Sequence, residues 1–187
     1  MLLPENSWHR GQIRVILGYE KTWEEKMKQA QWRVNSKVGS LYLVASEKGL
    51  QGIFWKKQSE PMAKSLKETG AEIKILSKAV RELGEYFEGK RKKFDLPLTF
   101  NGTPFQNRVW KELYKIPYGK TYSYKDVADR IKNSKAVRAV GTANGKNPFC
   151  IVVPCHRVIA ADGSIGGYSG GLGIKIKLLR LEQKTAV

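Results

Sequence analysis

An α+β fold is predicted: a small N-terminal domain with an antiparallel sheet and a helix, then a mostly helical C-terminal domain containing a helix-turn-helix. Three observations carry this. Residues 39–55, "GSLYLVASEKGLQGIFW", make two β-rich runs around a Glu-Lys-Gly turn, the pattern of a hairpin. In residues 71–89, "AEIKILSKAVRELGEYFEG", Ile73, Leu76, Val80, Leu83 and Phe87 recur at spacings of three and four, a helical stripe that Gly89 can end. From residue 103 onward the chain is mostly short helical patterns.

Between the two halves lies "KRKKFDLPLTFNGTP", residues 90–104, where a basic cluster, two prolines and an Asn-Gly pair mark a linker or long crossover. The expected domains are 1–96 and 97–187. In "TPFQNRVWKELYKI", residues 103–116, Phe105, Val109, Leu113 and Ile116 share a helical face, which Pro117 and Gly119 then end. Ser123 followed by Asp126 reads as a capping box opening "YKDVADRIK". Asn133 and Ser134 turn the chain, and Ser134 is placed to cap "KAVRAVGTANG", which must stop before Asn147-Pro148. Two short helices so joined outline a helix-turn-helix. The second carries Lys135 and Arg138 among small residues, including Ala136, Ala139, Gly141, Thr142 and Ala143. Such a helix either approaches a groove closely or packs tightly on another helix.

The apolar run Ile151–Val153 reads as a short buried strand broken by Pro154, so Cys155 stands at a structural break. A free cysteine there is a buried small hydrophobe or a reactive thiol. His156 and Arg157 favour the second, supplying a base and a fixed positive charge of the kind that lowers a thiol pKa. In the last helical pattern, "GIKIKLLRLEQK", Glu182 falls at the edge of the face formed by Ile174, Leu178 and Leu181. It is either a solvated helix-end carboxylate or the partner of His156, fixing the imidazole tautomer and freeing the other nitrogen to take the thiol's proton. Two phosphate-binding patterns fail. "GTANGKN" is one residue short of a P-loop and has Asn147 where Ser or Thr should hold magnesium, and "GSIGGYSGGLG" lacks dinucleotide spacing. The latter reads as a loop close to a ligand or to the sulfur, with Tyr168 as an aromatic wall.

Lys and Arg number 34 against 17 Asp and Glu; 19 basic and 12 acidic residues lie up to Leu96, and 15 and 5 beyond it. That excess suits a polyanionic partner or, less specifically, a lysine-rich solvated surface. With two cysteines and two histidines (His9 and His156), no four-ligand zinc set can be assembled, and neither metal nor cofactor is expected. No apolar stretch reaches signal-peptide or membrane-spanning length, so a soluble cytoplasmic protein with reduced thiols is expected.

Taken together, "YFEGKRKKFDLPLTFNGTPFQNRVWKELYKIPYGKTYSY", "AVRAVGTANGKNP", "IVVPCHRVI" and "GGYSGGLGIKIKLLRLE" resemble successive blocks of the O6-alkylguanine-DNA alkyltransferases. The resemblance runs almost without a gap from residue 86 to 182; residues 1–85 match only loosely. It implies a monomeric protein that binds double-stranded DNA through the minor groove and flips out an O6-alkylguanine, or an O4-alkylthymine. The alkyl group then passes irreversibly to the protein's own cysteine. By matching positions, it makes Cys155 the acceptor, His156 the base acting through a water, Glu182 the residue orienting His156, and Asn147 a brace. Tyr124 would protonate the departing guanine, and Arg138 would fill the stack. Ser134, Lys135, Ala139 and Thr142 would line the groove helix with them. Tyr168, Ser169, Gly170, Cys150, Val158 and Lys175 would surround the guanine and its alkyl group. The chain lacks the N-terminal zinc ligands that some members carry, places Cys150 where proline is common, and lacks the common Gly-x-Pro turn before the groove helix. Competing readings are a non-catalytic alkylated-DNA binder, a thiol hydrolase, and a helix-turn-helix regulator.

Overall fold

The computed structural model describes residues 29–186. Expectations resting on residues 1–28, among them His9 and the absence of an apolar leader, lie outside it. Strands β1 (Gln29–Ser36), β2 (Gly39–Ser46) and β3 (Gly49–Phe54) form an antiparallel sheet in that order. The hairpin around Glu47-Lys48 is the one predicted. β1 was not, although Ala30, Trp32 and Val34 alternate with polar residues and face Ala45, Leu43 and Leu41 across the ladder. Helix α1 (Ala71–Phe87) lays its apolar stripe on this sheet, burying Leu76, Leu83 and Tyr86 with Leu41, Leu43 and Ile53. Gly89, at φ +77°, takes the left-handed turn that ends the helix.

The segment after α1 is no free tether. Leu50 N–H donates to Pro97 O at 2.7 Å and Thr99 N–H to Leu50 O at 3.0 Å, which ties the segment to the edge of β3. Much of its basic cluster is neutralised at the helix end, where Lys90 pairs with Glu88 at 2.7 Å and Arg91 with Glu85 at 2.6 Å.

Helix α2 (Pro104–Leu113) opens with a capping box between Thr103 and Gln106. Then come β4 (Tyr122–Ser123), α3 (Tyr124–Arg130), a 3₁₀ turn (Ser134–Ala136) and α4 (Val137–Gly145). The capping box at Ser123 forms as predicted, with Asp126 N–H donating to Ser123 Oγ at 3.0 Å and Ser123 N–H to Asp126 Oδ2 at 2.7 Å. Ser134 does not cap α4. The chain tightens into the 3₁₀ turn first, so Ser134 opens that turn, ahead of the N-cap Ala136, and α4 begins without a side-chain cap.

A second correction concerns Ile151–Val153, which is buried but forms turns, not a strand, with Ile151 at φ +74°. Its peptide groups are satisfied locally: Val152 N–H donates to Cys150 O and Val153 N–H to Phe149 O, both at 2.9 Å. No ladder is therefore needed to bury the run. A 3₁₀ turn (Cys155–Arg157) leads into β5 (Val158–Ile159), parallel to β4, and α5 (Leu172–Thr185) closes the described chain. The two halves meet where Ile53 N–H donates to Pro148 O at 2.7 Å. Among the described residues no helix is long and apolar enough to cross a membrane.

Candidate active site

Cys155 is 1% exposed and His156 fully buried, at the head of the 3₁₀ turn that follows the Ile151–Pro154 segment. Asn147 sets that segment's shape. Its Nδ2 donates to Val153 O at 2.7 Å while its Oδ1 accepts from Phe149 N–H at 3.0 Å, bracketing the turn just before the sulfur.

From α5, Glu182 turns inward and reaches His156 Nε2 with Oε1 at 2.8 Å, as the helical stripe allowed. The carboxylate is shared more widely than sequence reasoning foresaw. Oε1 also accepts from Tyr86 Oη at 2.7 Å and Arg157 Nη2 at 2.9 Å, and Oε2 from Arg157 Nε at 2.8 Å and Gly119 N–H at 3.1 Å. Burial alone would raise the Glu182 pKa, but hydrogen bonds and charge from His156 and Arg157 outweigh it and hold it down at about 2. Burial depresses the His156 pKa, against the pull of Glu182, so the imidazole is neutral. Its Nε2–H donates to Glu182, and Nδ1, a buried atom with no partner, keeps a free lone pair.

The expected lowering of the thiol pKa by Arg157 is overturned. The guanidinium points away from the sulfur, toward Glu182 and Ile116 O, and its charge is spent there. Burial pushes the Cys155 pKa up, against smaller opposing effects of an Asn147 hydrogen bond and the Lys175 charge. The resting group is a thiol.

Lys175, fully buried on α5, donates through Nζ to Val158 O at 2.6 Å, to Gly167 O at 3.3 Å and to Ile165 O. It thus pins the glycine-rich loop to β5, and burial lowers its pKa to about 8. Val158 contributes that carbonyl; its side chain lies in the core. In the loop, Tyr168 packs edge-on against Trp55 with ring centroids 5.9 Å apart, and its buried hydroxyl has no partner. Ser169 Oγ stands 4.0 Å from Cys150 Sγ, and a side chain at Gly170 would put its Cβ 2.6 Å from the Trp55 indole. Tyr124, at the start of α3, is half-buried between α4 and the loop: added β-carbons at Gly141 and Gly166 would lie 3.8 and 3.2 Å from it. Burial and the neighbouring Cys155 raise its pKa.

Ser134, Lys135, Arg138, Ala139 and Thr142 are all exposed, on the side of the 3₁₀ turn and α4 opposite buried Val140, Ala143 and Asn144. Sequence reasoning missed Tyr86, Trp55 and the turn of Arg157. Tyr86 left one sign, a tyrosine beside the apolar stripe of a helix, whose hydroxyl needs a buried partner.

Two family models match the chain: "6-O-methylguanine DNA methyltransferase, ribonuclease-like domain" over residues 33–100, and "6-O-methylguanine DNA methyltransferase, DNA binding domain" over residues 104–184. A methylated-DNA--protein-cysteine methyltransferase of Methanosarcina barkeri is 44% identical over 81% of this chain and 96% of its own length. One of Mycobacterium tuberculosis is 54% identical over 59% of this chain and 67% of its own. Among solved structures, M. tuberculosis O6-methylguanine methyltransferase aligns with a TM-score of 0.72 at 42% identity, over 85% of this chain and 95% of that one. M. tuberculosis OGT in complex with DNA aligns with a TM-score of 0.71 at 41% identity, over 84% and 93%. With the sheet-and-helix half, the helix-turn-helix half and a buried Cys-His-Glu arrangement all in place, the chain belongs to the methylated-DNA--protein-cysteine methyltransferase family.

Proposed function

We infer that this protein repairs DNA by direct reversal, moving the alkyl group of an O6-alkylguanine to its own Cys155 in a single turnover. The observation that carries this reading is the buried thiol directly before a buried histidine whose Nε2 is held by Glu182 at 2.8 Å and whose Nδ1 is unpartnered. Cys155 Sγ attacks the alkyl carbon, forming an S–C bond as the C–O6 bond breaks. The thiol proton passes to His156, directly or through water, while Tyr124 donates its phenolic proton to the leaving guanine and regains one from His156. A thiol that starts protonated needs such a base to become a nucleophile at neutral pH. A thioether does not return the alkyl group, so each molecule acts once.

Because Cys155 is 1% exposed, a base still stacked in the duplex cannot reach it, and the damaged nucleotide has to be turned out. The exposed face of α4 docks in the minor groove, its small residues allowing close approach, with Arg138 entering the stack. Loop residues Tyr168, Ser169 and Gly170, with Cys150 behind them, close over the base. The protein acts as a monomer, a reading supported by a surface whose exposed large apolar residues, among those described, are only Met62 and Leu172, and it works in the cytoplasm, where its acceptor thiol stays reduced.

Intact-protein mass after incubation with O6-methylguanine DNA tests the chemistry. One methyl group gained, mapped to the Cys155 peptide, is expected; no adduct, or product exceeding the protein, would overturn it. Arg138→Ala should slow repair of duplex DNA on the order of 100-fold while leaving reaction with free O6-benzylguanine nearly unchanged, since only the duplex requires an extruded base to be replaced. Parallel losses on both substrates would place Arg138 in the fold instead of the groove.

A further inference from the structure

Glu182 is reached from both halves of the molecule, and the contact from the N-terminal half has the most direct chemical consequence. Tyr86 comes from α1, 96 residues away in sequence, and is 0% exposed. Its hydroxyl donates to Oε1, the same oxygen that accepts from His156 Nε2. We propose that Tyr86 is a positioning residue for the transfer, holding Oε1 of Glu182 and so setting how strongly His156 keeps a proton. The proposal rests on the reading of His156 as the base for Cys155.

The donors on Glu182 compete for its lone pairs. A carboxylate offers roughly two acceptor sites per oxygen. Oε1 receives three donors, Tyr86 at 2.7 Å, His156 at 2.8 Å and Arg157 Nη2 at 2.9 Å, whereas Oε2 receives two, Arg157 Nε at 2.8 Å and Gly119 N–H at 3.1 Å. The tyrosine therefore competes with the imidazole. Each donor also spreads the negative charge that would otherwise stabilise an imidazolium. The titratable and charged groups around the pair come from every packed element: Tyr86 from α1, Tyr118 from the turn before β4, Cys155 and Arg157 from the 3₁₀ turn, Lys175 from α5. Arg157 is stacked over Tyr118 at 5.5 Å and fixed on Glu182 and Ile116 O. Lys175 is fixed on the loop carbonyls. Besides the imidazole itself, Tyr86 is the neutral donor on Oε1, so its hydroxyl can be removed or strengthened without changing the formal charge of the site.

Two variants move the donor in opposite senses. Tyr86→Phe removes it, leaving Glu182 freer to hold a proton on His156; replacement of Tyr86 with 3-fluorotyrosine makes the phenol a stronger donor. Single-turnover rates on O6-methylguanine DNA, followed by intact mass across pH 5–9, report the acid limb, where His156 loses its function as a base. The limb should move up by about one pH unit in Tyr86→Phe and down by a smaller amount in the fluorotyrosine protein. A stability loss from packing cannot produce opposite shifts. If both limbs coincide with that of the parent protein, or move in the same direction, the proposal is overturned. Should Tyr86→Phe fail to fold, the fluorotyrosine protein decides alone, since an unmoved limb there is sufficient to reject it. A parent protein that gains no methyl group on Cys155 would instead reject the underlying reading of the function.

Discussion

Cys155→Ala is expected to abolish alkyl transfer completely while leaving duplex DNA binding essentially unchanged. Displacement at a saturated carbon needs a soft nucleophile that can be deprotonated near neutral pH, and nothing else beside His156 meets both conditions. Cys150 cannot stand in. It is 3% exposed, and burial, with the nearby Cys155, drives its pKa far up while Ser169 and Trp55 pull it back only partly. Binding should persist because the groups proposed to meet DNA sit on the exposed face of α4, and Cys155 lies behind them in the core. Intact mass and a gel-shift titration with the same oligonucleotide check both halves of this expectation. A methyl adduct on the variant would move the acceptor role to another side chain, and lost binding would mean that the sulfur supports the groove helix.

Glu182→Gln should be the most destabilising conservative change in the site, costing roughly 3–5 kcal/mol. The variant keeps the shape but removes the charge that compensates Arg157, whose side chain is 7% exposed, and puts an amide N–H where an acceptor is needed. The linkage has a definite sign. The folded pKa of about 2 lies below the ordinary 4.5, so the stability due to this group is fully present above pH 4.5 and is lost as pH falls toward 2. That difference corresponds to about 3 kcal/mol. Urea unfolding of parent and variant at neutral pH and near pH 3 should show a gap that narrows in acid. Repair should also slow by on the order of 10²–10⁴-fold, because His156 loses the partner that fixes its tautomer. A gap under 1 kcal/mol at neutral pH would show that Arg157 finds other partners and that the carboxylate is not the hub described.

The elements written in local periodicity were legible. The apolar stripe of α1, the Glu47-Lys48 hairpin and the Ser123–Asp126 capping box each depend on residues a few positions apart, and each formed where expected. Glu182 was only half legible: its place at the edge of a helical face left a solvated carboxylate and a partner of His156 both open, and the 2.8 Å contact selects the second. What failed was settled either by tight local turns that periodicity does not register or by contacts at long range. Ile151–Val153 looked like a strand because burial was read as pairing, whereas Asn147 and local turns satisfy its backbone. Arg157 stands two residues after the thiol in sequence, yet a 3₁₀ turn and a carboxylate on another element carry its charge away. Trp55 could not be placed, and Tyr86 left only the sign of a hydroxyl beside an apolar stripe, because nothing in a hairpin or a helix says that its end will touch a loop or a carboxylate from the other half.

That last contact has a consequence in time. Proteins are made from the N-terminus and fold largely domain by domain as they emerge. The Tyr86–Glu182 bond joins positions 96 residues apart, so the carboxylate reaches its place only after α5 has been synthesised and docked on the earlier half. Until then His156 lacks the partner that fixes its tautomer, and no acceptor for the thiol proton is held in place. For a protein that acts only once, competence for transfer is thus acquired with the final helix of the described chain and not with the thiol itself.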